Sequence, residues 1–507
     1  MAISADRTDL VVGIVGTGTM GRGIAQLAAA AGCRVLLSDA RPQAATEARV
    51  SLAETFAKLA AKGKMTAGDA EAAAARIEAP DQPGFGHCAV VIEAIAEDLE
   101  AKRALFTRLE DDVAADCVLA TNTSSLSVTA IAAACRRPER VAGFHFFNPV
   151  PLMRIVEVVS GCRTAADTAA FLRRLGERMG HAAVEAADSP GFIVNHAGRG
   201  YGPEALQLLD EGVTDAVSID RILVEQAGFR MGPFELFDLV GLDISAAVME
   251  SLYHQFMHEP RYRPSPTARQ RAQAGLLGRK TGRGFYEYRD GAIVRPPEVA
   301  PPDGPPLPVW VSPARPRFAG LLTAALTAAG VRVDRDDRPG ARSLCLITPL
   351  GTDAATAALA EGLDPRRTVA VDALFGFDGR RVAMPTLLTT AEYRAAAQAA
   401  LARGEHKVST IGDSAGFVSQ RVLAMMVNVA GEIAQRRIAA PADIDRAVTL
   451  GLGYPRGPLA WGDALGADHV LEVLETIHQL TGNPRYRAGS WLRRRATLGV
   501  SLTTPEP

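Results

Sequence analysis

Two segments of this chain occur twice at one spacing. DSPGFIVNH at 188–196 returns as DSAGFVSQR at 413–421, and GPFELFDLVGLD at 232–243 returns as GPLAWGDALGAD at 457–468. The offset from Asp188 to Asp413 is the same as that from Gly232 to Gly457, which is hard to obtain by chance and reads as an internal duplication. The fold must therefore hold two copies of one domain. Each copy lies in long amphipathic stretches with helical spacing, so both are predicted to be all-helical. With 507 residues the chain exceeds what one core organises, and about 150 residues per domain gives roughly three to four domains.

Ahead of the first copy the pattern is different. The apolar run LVVGIV at 10–15 ends in a glycine-rich turn, then come the apolar-periodic stretch Ile24 to Ala31 and a second run from Arg34 to Ser38. That order predicts a β-α-β unit. Further strand-like runs at 89–95, 117–120, 141–147 and 154–159 extend it, so residues 9–187 are expected to form an α/β Rossmann-type, doubly wound, mostly parallel sheet. Residues 188–294 form the first helical domain. RPPEVAPPDGPPLP at 295–308 holds enough proline to favour an extended, semi-rigid spacer. Residues 309–410 take the place of the first sheet domain at about half its length, and 411–500 are the second helical domain. The strand opening the 309–410 region is followed by Ser312-Pro313-Ala314-Arg315-Pro316. It lacks the glycine fingerprint, so this reduced Rossmann-like domain is not expected to hold a dinucleotide.

Gly16-Thr17-Gly18-Thr19-Met20-Gly21 matches G-x-G-x-x-G between the first strand and first helix, and Asp39 ends the second strand at the place where such a unit carries its acid. Gly16 permits the tight turn, Gly18 lets the backbone approach a pyrophosphate, and Gly21 lets helix and strand pack closely. The helix N-terminus then faces the phosphates. Asp39 suits the adenosine ribose hydroxyls and repels a 2'-phosphate, which favours NAD over NADP, while Arg41 works against that preference.

In GTGTMGRGIAQ (16–26), VIEAIAEDLEAK (91–102), NTSSL (122–126), HFFNPVPLMRIVEVV (145–159), DSPGFIVN (188–195) and GPFELFDLVGLD the chain resembles the 3-hydroxyacyl-CoA dehydrogenase family, in order and in spacing. The resemblance implies NAD-dependent oxidation of (S)-3-hydroxyacyl-CoA to 3-oxoacyl-CoA. It implies His145 as general base and Glu157 as the carboxylate that orients it. Ser124 and Asn195 would polarise the substrate oxygen and place the nicotinamide, with Asn148 nearby. Glu97 and Lys102 would line the cofactor site, with Met20 and Asn122 beside them. The chemistry independently wants the first pair: removing a hydroxyl proton while hydride leaves the same carbon needs a base poised near neutral pH. The turn Asn148-Pro149-Val150-Pro151 can return the chain so that Glu157 meets His145. Without the surrounding motifs, His145 would read as a core histidine, Ser124 and Asn195 as caps or turns, and Glu97 and Lys102 as solvated charges.

The duplicated helical domain is similar to that of the family's long bacterial form, which includes the 3-hydroxyadipyl-CoA dehydrogenases of phenylacetate breakdown. The alternatives are a 3-hydroxybutyryl-CoA dehydrogenase and a non-catalytic NAD-binding scaffold. A basic residue in the acyl pocket would favour a dicarboxylyl substrate, and Arg154, Arg199 and Arg230 are available. In the second repeat Gln420 stands where Asn195 stands in the first, and neither HFFNP nor NTSSL precedes it. That half is expected to be silent, and the resemblance implies that it fills the position of the partner with which single-repeat members pair through their helical domains; a homo-oligomer is the other arrangement. The fingerprint begins at Gly16, so the hydratase domain of multifunctional relatives is not expected and the chain is expected to carry out the dehydrogenase step only.

Net charge is −2, from 55 basic and 57 acidic residues, so no global field holds nucleic acid or an anionic membrane. Lys58 and Lys62, spaced i,i+4 with Lys64 just beyond, form either a local patch for CoA phosphates or a solvated helix face. Six cysteines without a CxxC pair suit a reduced, cytoplasmic setting. The polar stretch Met1 to Leu10 does not read as a signal peptide, and no uncharged apolar run is long enough to suggest a membrane span. His254 and His258 share helical spacing, but Gln255 stands where a zinc-protease motif needs glutamate, and no metal is expected.

Overall fold

The computed structural model describes residues 4–81 and 84–506. Met1, Ala2 and Ile3, at the head of the polar N-terminal stretch, lie outside the described residues, as do Gln82, Pro83 and Pro507. Two compact units are present. One comprises Met1–His196 with Arg436–Gly453, the other Ala197–Gln435 with Tyr454–Pro507.

The first unit is built on eight strands: β1 (Val11–Val15), β2 (Arg34–Ser38), β3 (Ile77–Glu78), β4 (Val90–Glu93), β5 (Val118–Thr121), β6 (Val141–Phe146), β7 (Ile155–Ser160) and β8 (Ala182–Ala187). Their order is β3-β2-β1-β4-β5-β6-β7-β8. Only β6 and β7 pair antiparallel; the other neighbours are parallel. Strands such as VVGIV are buried at every position, because helices cover both faces and leave no polar side. Two strands escape the sequence pattern. β3 is two residues long, and β8, AAVEAA, is alanine-rich, a composition with low strand propensity. Parallel pairing along its whole length with β7 makes it a strand, a case of tertiary context overriding propensity.

This unit borrows a helix from the second repeat. Pro441–Leu452 packs on β7 and β8 and buries Ile444, Ala447 and Val448. Ala187 N–H donates to the Ile438 carbonyl at 2.7 Å. A Cβ on Gly451 would lie 3.0 Å from a Val194 methyl, so glycine lets this helix lie close to that residue.

In the second unit a hairpin, β9 (Glu287–Arg289) and β10 (Ala292–Val294), precedes six strands: β11 (Val309–Val311), β12 (Val333–Asp334), β13 (Leu344–Ile347), β14 (Thr368–Val371), β15 (Arg381–Pro385) and β16 (Val408–Thr410). Their order is β12-β11-β13-β14-β15-β16, again with one antiparallel pair, β14 with β15. The repeated aspartates match the two sheets. Asp188 accepts from Ser127 Oγ (2.7 Å) and Thr129 N (2.8 Å) at the start of helix Val128–Ala132. Asp413 accepts from Ala354 N (2.7 Å) at the start of helix Ala354–Ala360. β13 therefore corresponds to β5. Among the described residues, β4, the helix Leu99–Asp112 that follows it, and the edge strand β3 have no counterpart, and β11 pairs directly with β13. The second sheet is short because two strands are gone, together with the helices Ala44–Ala61, Ala67–Ala75 and Leu99–Asp112 of the connections around them.

The helix Val418–Gln435 is buried almost all round, and its polar residues Gln420, Arg421 and Asn428 are buried with hydrogen-bond partners. A Cβ on Gly200 would lie 2.5 Å from Met426 Cα, so the small residues of AGRG let it approach. The second acid of GPFELFDLVGLD has a structural job: Asp238 accepts from the backbone N–H groups of Phe285 and Tyr286, each at 2.8 Å. Its repeat, Asp463, accepts from Leu502 N at 2.7 Å. Among the described residues no helix is long and apolar enough to cross a membrane.

Candidate active site

His145 lies near the end of β6 and Glu157 in β7, and the antiparallel register makes them direct cross-strand partners. His145 Nδ1 is 2.6 Å from Glu157 Oε2, with both side chains buried. A carboxylate can only accept, so Nδ1 carries the proton and Nε2 presents its lone pair. Glu157 Oε1 accepts from the N–H groups of Ile193 (3.0 Å) and Val194 (2.9 Å). DSPGFIVN is what delivers those amides. Asp188 staples the segment to the sheet, Gly191 and Phe192 turn it through positive φ of 74° and 49°, and the amides on Glu157 follow. Asn195 comes next, so the carboxylate that holds the imidazole also fixes the backbone carrying Asn195. The rings of Phe147 and Phe192 flank His145 at 4.4 and 5.6 Å.

The loop after β5 carries Ser124, and Glu97 clamps it. Glu97 Oε1 accepts from Thr123 Oγ1 (2.7 Å), Ser124 N (2.9 Å), Ser125 N (3.0 Å) and Ser125 Oγ (3.0 Å). Burial alone would raise the Glu97 carboxyl, but the Thr123 hydrogen bond and the Lys102 charge outweigh it and lower it. Lys102 is fully buried, its ammonium 2.5 Å from Glu93 and 3.4 Å from Glu97. It can therefore reach a ligand only through Glu97. Sequence reasoning passed over Glu93; the signal was an acid closing the wholly buried strand VVIE. Asn122 accepts from Phe146 N at 2.9 Å and ties the ends of β5 and β6 together. Asn148 is exposed just beyond β6.

The fingerprint glycines divide by role. A Cβ on Gly16 (φ 99°) would lie 2.5 Å from the Ala94 carbonyl oxygen, and one on Gly21 would lie 1.8 Å from the Gly16 oxygen. The fold itself needs both. A Cβ on Gly18 would meet nothing within 4 Å, so the open side at that position fits a phosphate approaching the backbone at the start of helix Thr19–Ala30. Met20 packs half-buried against the core. Asp39 accepts from Thr17 N (2.8 Å), Thr17 Oγ1 (2.7 Å) and Arg41 N (3.0 Å). Burial would raise its carboxyl, yet these bonds hold it at about 2, so Asp39 is ionised throughout the working range. All of these groups gather at the C-terminal edge of the parallel strands, where doubly wound sheets bind ligands.

Lys58, Lys62 and Lys64 are exposed along and just after the helix Ala44–Ala61, with Lys58 3.7 Å from Glu54. His254 and His258 are exposed, their ring nitrogens 2.9 Å apart. Among the described residues no group of three or more His, Cys, Asp or Glu is disposed to hold a metal.

The strand pairings show what stands at the same positions in the second sheet. Thr410 lies at the repeat offset from Glu185, and it pairs with Ala383 as Glu185 pairs with Val158. Val371 faces Ala383 as Phe144 faces Val158. Asp372 thus takes His145's place, Val382 that of Glu157, and Gln420 that of Asn195. Gln420 Nε2 donates to Asp372 Oδ1 (2.9 Å) and the Pro349 carbonyl (3.2 Å), and its Oε1 accepts from Gly351 N (3.0 Å). The protein's own side chains bond across the position. Burial pushes the Asp372 carboxyl up to about 6, against an ordinary value near 4. The folded state therefore holds this proton more tightly than the unfolded chain. Stability from this site is present at low pH and is lost as pH rises from about 4 through about 6. Asp372→Asn should raise the urea midpoint at pH 8 by the equivalent of about 2–3 kcal/mol, a gain that vanishes by pH 4. An equal gain at both pH values would refute it.

A glycine fingerprint at the C-terminal edge of a doubly wound sheet, with a carboxylate-held imidazole on the same edge, defines a nucleotide-dependent dehydrogenase. Residues 11–189 match the 3-hydroxyacyl-CoA dehydrogenase NAD binding domain, and residues 191–288 and 416–502 match the family's C-terminal domain twice over. The chain is 37% identical to 3-hydroxyadipyl-CoA dehydrogenase of Escherichia coli K12 over 96% of its own length and 97% of the relative's. Its structure matches a crystal structure described as 3-hydroxybutyryl-CoA dehydrogenase from E. coli K12 with TM-score 0.84 and 34% identity, covering 97% of this chain and 98% of that one. The single-repeat (S)-3-hydroxybutyryl-CoA dehydrogenase of Ralstonia eutropha covers 55% of this chain at 38% identity and TM-score 0.53, with 99% of its own length matched. The chain belongs to the 3-hydroxyacyl-CoA dehydrogenase family and is an NAD-dependent enzyme of that class, acting on acyl-CoA.

Proposed function

We propose that this enzyme oxidises (S)-3-hydroxyadipyl-CoA to 3-oxoadipyl-CoA in the cytoplasm, in phenylacetate catabolism, with His145 as base and Glu157 as its orienting partner. The buried 2.6 Å contact between them carries the mechanistic reading. The C3 hydroxyl proton passes to His145 Nε2 as the C3–O bond becomes a carbonyl. NAD, when bound, accepts the hydride from C3. Glu157 keeps Nδ1 protonated and stabilises the imidazolium that results. Ser124 and Asn195 polarise the C3 oxygen, Glu97 and Lys102 hold the Ser124 loop beside the cofactor, and Asn122 and Asn148 border it. Gly16, Gly18, Gly21 and Met20 shape the phosphate turn, and Asp39 selects NAD. Lys58 and Lys62 take CoA phosphates.

The adipyl chain is favoured by the 37% identity, over 96% of this chain, to an enzyme of that name. The butyryl chain is the second reading, favoured by the structural match, over 97% of this chain at 34% identity, to a structure described by that substrate. NADH absorbance with each thioester decides: a kcat/KM ratio of about ten or more for the adipyl substrate is expected, and a ratio below one would overturn the assignment.

The second repeat acts in place of a dimer partner, so the chain works as a monomer. Support comes from helix Pro441–Leu452, which covers β7 and β8 of the catalytic sheet. Truncation at Pro301 removes that cover, and the fragment should dimerise or aggregate in size-exclusion chromatography with light scattering. A soluble, monomeric, fully active fragment would sink this reading.

A further inference from the structure

We propose that the second sheet carries a site for a phosphate ester of nucleotide size, at the edge opposite to the one that holds the dinucleotide in the first sheet. A cavity of about 680 Å³ opens where β11, β12 and β13 begin, a volume within the ~300–1,000 Å³ of small-molecule sites. Arg332 before β12, Arg342 before β13 and Arg403 at the end of helix Ala391–Ala402 line it. All three are exposed, and none forms an ion pair or a side-chain hydrogen bond with the described residues. The single acid in the lining, Asp334, is bonded by Ser343 Oγ at 3.1 Å, so the cavity keeps a net positive charge.

The duplication shows that this is not the default state of such an edge. Arg403 lies at the repeat offset from Arg178. In the first sheet Arg178 is consumed by backbone carbonyls, those of Ala5 and Arg7 at 2.7 Å and Ala31 at 3.2 Å. In the second, the corresponding guanidinium lines an open cavity. The loop bearing Arg342 is pinned in advance, because Arg367 donates to the carbonyls of Gly340 and Ser343. Guanidinium forks match phosphate oxygens in pairs. The opposite wall, formed by Pro306, Ala396 and Ala400 among others, is apolar and suits the organic part of the ester. Gly304 holds that wall in place: a Cβ there would lie 2.4 Å from the Ala395 carbonyl oxygen, so the proline-rich segment lies against helix Ala391–Ala402.

The test is calorimetric titration of the full chain, saturated with NAD, with ADP and separately with inorganic pyrophosphate. Arg332→Ala/Arg342→Ala/Arg403→Ala serves as the comparison; its three side chains are exposed and lie outside the catalytic sheet, so turnover should be unchanged. One ADP per chain is expected, bound more tightly than pyrophosphate, weakened about ten-fold or more in the triple variant and weakened by added salt. Absence of saturable binding at millimolar ADP, or equal affinity in the triple variant, overturns the site. Pyrophosphate binding as tightly as ADP overturns the role of the apolar wall.

Discussion

Glu157→Gln should lower kcat by about a hundred- to ten-thousand-fold while leaving the fold and NAD affinity in place. The substitution keeps shape and volume, so the outcome turns on one proton. Glu157 Oε1 accepts two backbone N–H groups, from Ile193 and Val194. A glutamine must turn its oxygen toward those donors, because its NH2 there would face two more donors. The NH2 then points at His145 Nδ1, where the carboxylate oxygen stood at 2.6 Å. Nδ1 must become an acceptor, and the ring proton moves to Nε2, the atom proposed to receive the substrate proton. The base is thus held in the wrong tautomer. Steady-state NADH formation, with circular dichroism and NAD titration as controls, measures the effect. A variant within about ten-fold of the parent would show that Glu157 does not set the tautomer, and His145→Ala would then be needed to keep the imidazole in the mechanism at all.

That pair was legible in the sequence because its geometry is short-range: two strands joined by one turn bring His145 and Glu157 into register. The dinucleotide turn was legible for the same reason. What escaped depends on contacts that leave no local trace. Helix Pro441–Leu452 has an ordinary amphipathic pattern, and nothing in it says that its apolar stripe covers a sheet from the far end of the chain. Without the surrounding motifs Lys102 and Glu97 read as solvated charges, whereas the structure buries Lys102 against Glu93 and turns Glu97 onto the Ser124 loop. The loss of two strands and their connecting helices from the second sheet was visible only as missing length. That Asp372 occupies the place of His145 required the strand register. A third repeated segment was present and overlooked: EPRYR at 259–263 returns as NPRYR at 483–487.

That overlooked motif supports the second large prediction. Its Arg485 and Tyr486 meet Glu204 in a buried cluster of the second unit. Glu204 Oε2 accepts from Arg485 Nε at 2.8 Å, and Oε1 accepts from Tyr486 OH at 2.8 Å and Arg421 Nε at 3.1 Å. Glu204 is wholly inaccessible, and the two guanidiniums are 1% and 3% exposed. Desolvating three charges costs about as much as their attraction returns, so the intact cluster adds little net stability. Its fracture is another matter. Arg421 retains Glu211 (3.1 Å), but Arg485 keeps only a weak contact to the Arg263 carbonyl (3.4 Å), and water cannot reach it. Glu204→Leu should therefore cost about 3–5 kcal/mol, a fall in Tm of several degrees or more. Glu204→Leu combined with Arg421→Met and Arg485→Met should recover most of it, because three apolar side chains of similar volume leave no inaccessible charge unpaired; Glu211 loses Arg421 but is 36% exposed and still accepts from Gln207 Nε2 at 2.8 Å. Thermal unfolding followed by circular dichroism separates the cases. A single variant as stable as the parent would mean that the cluster is hydrated. A triple variant worse than the single would mean that the charges, and not merely their balance, hold the two repeats' helices together.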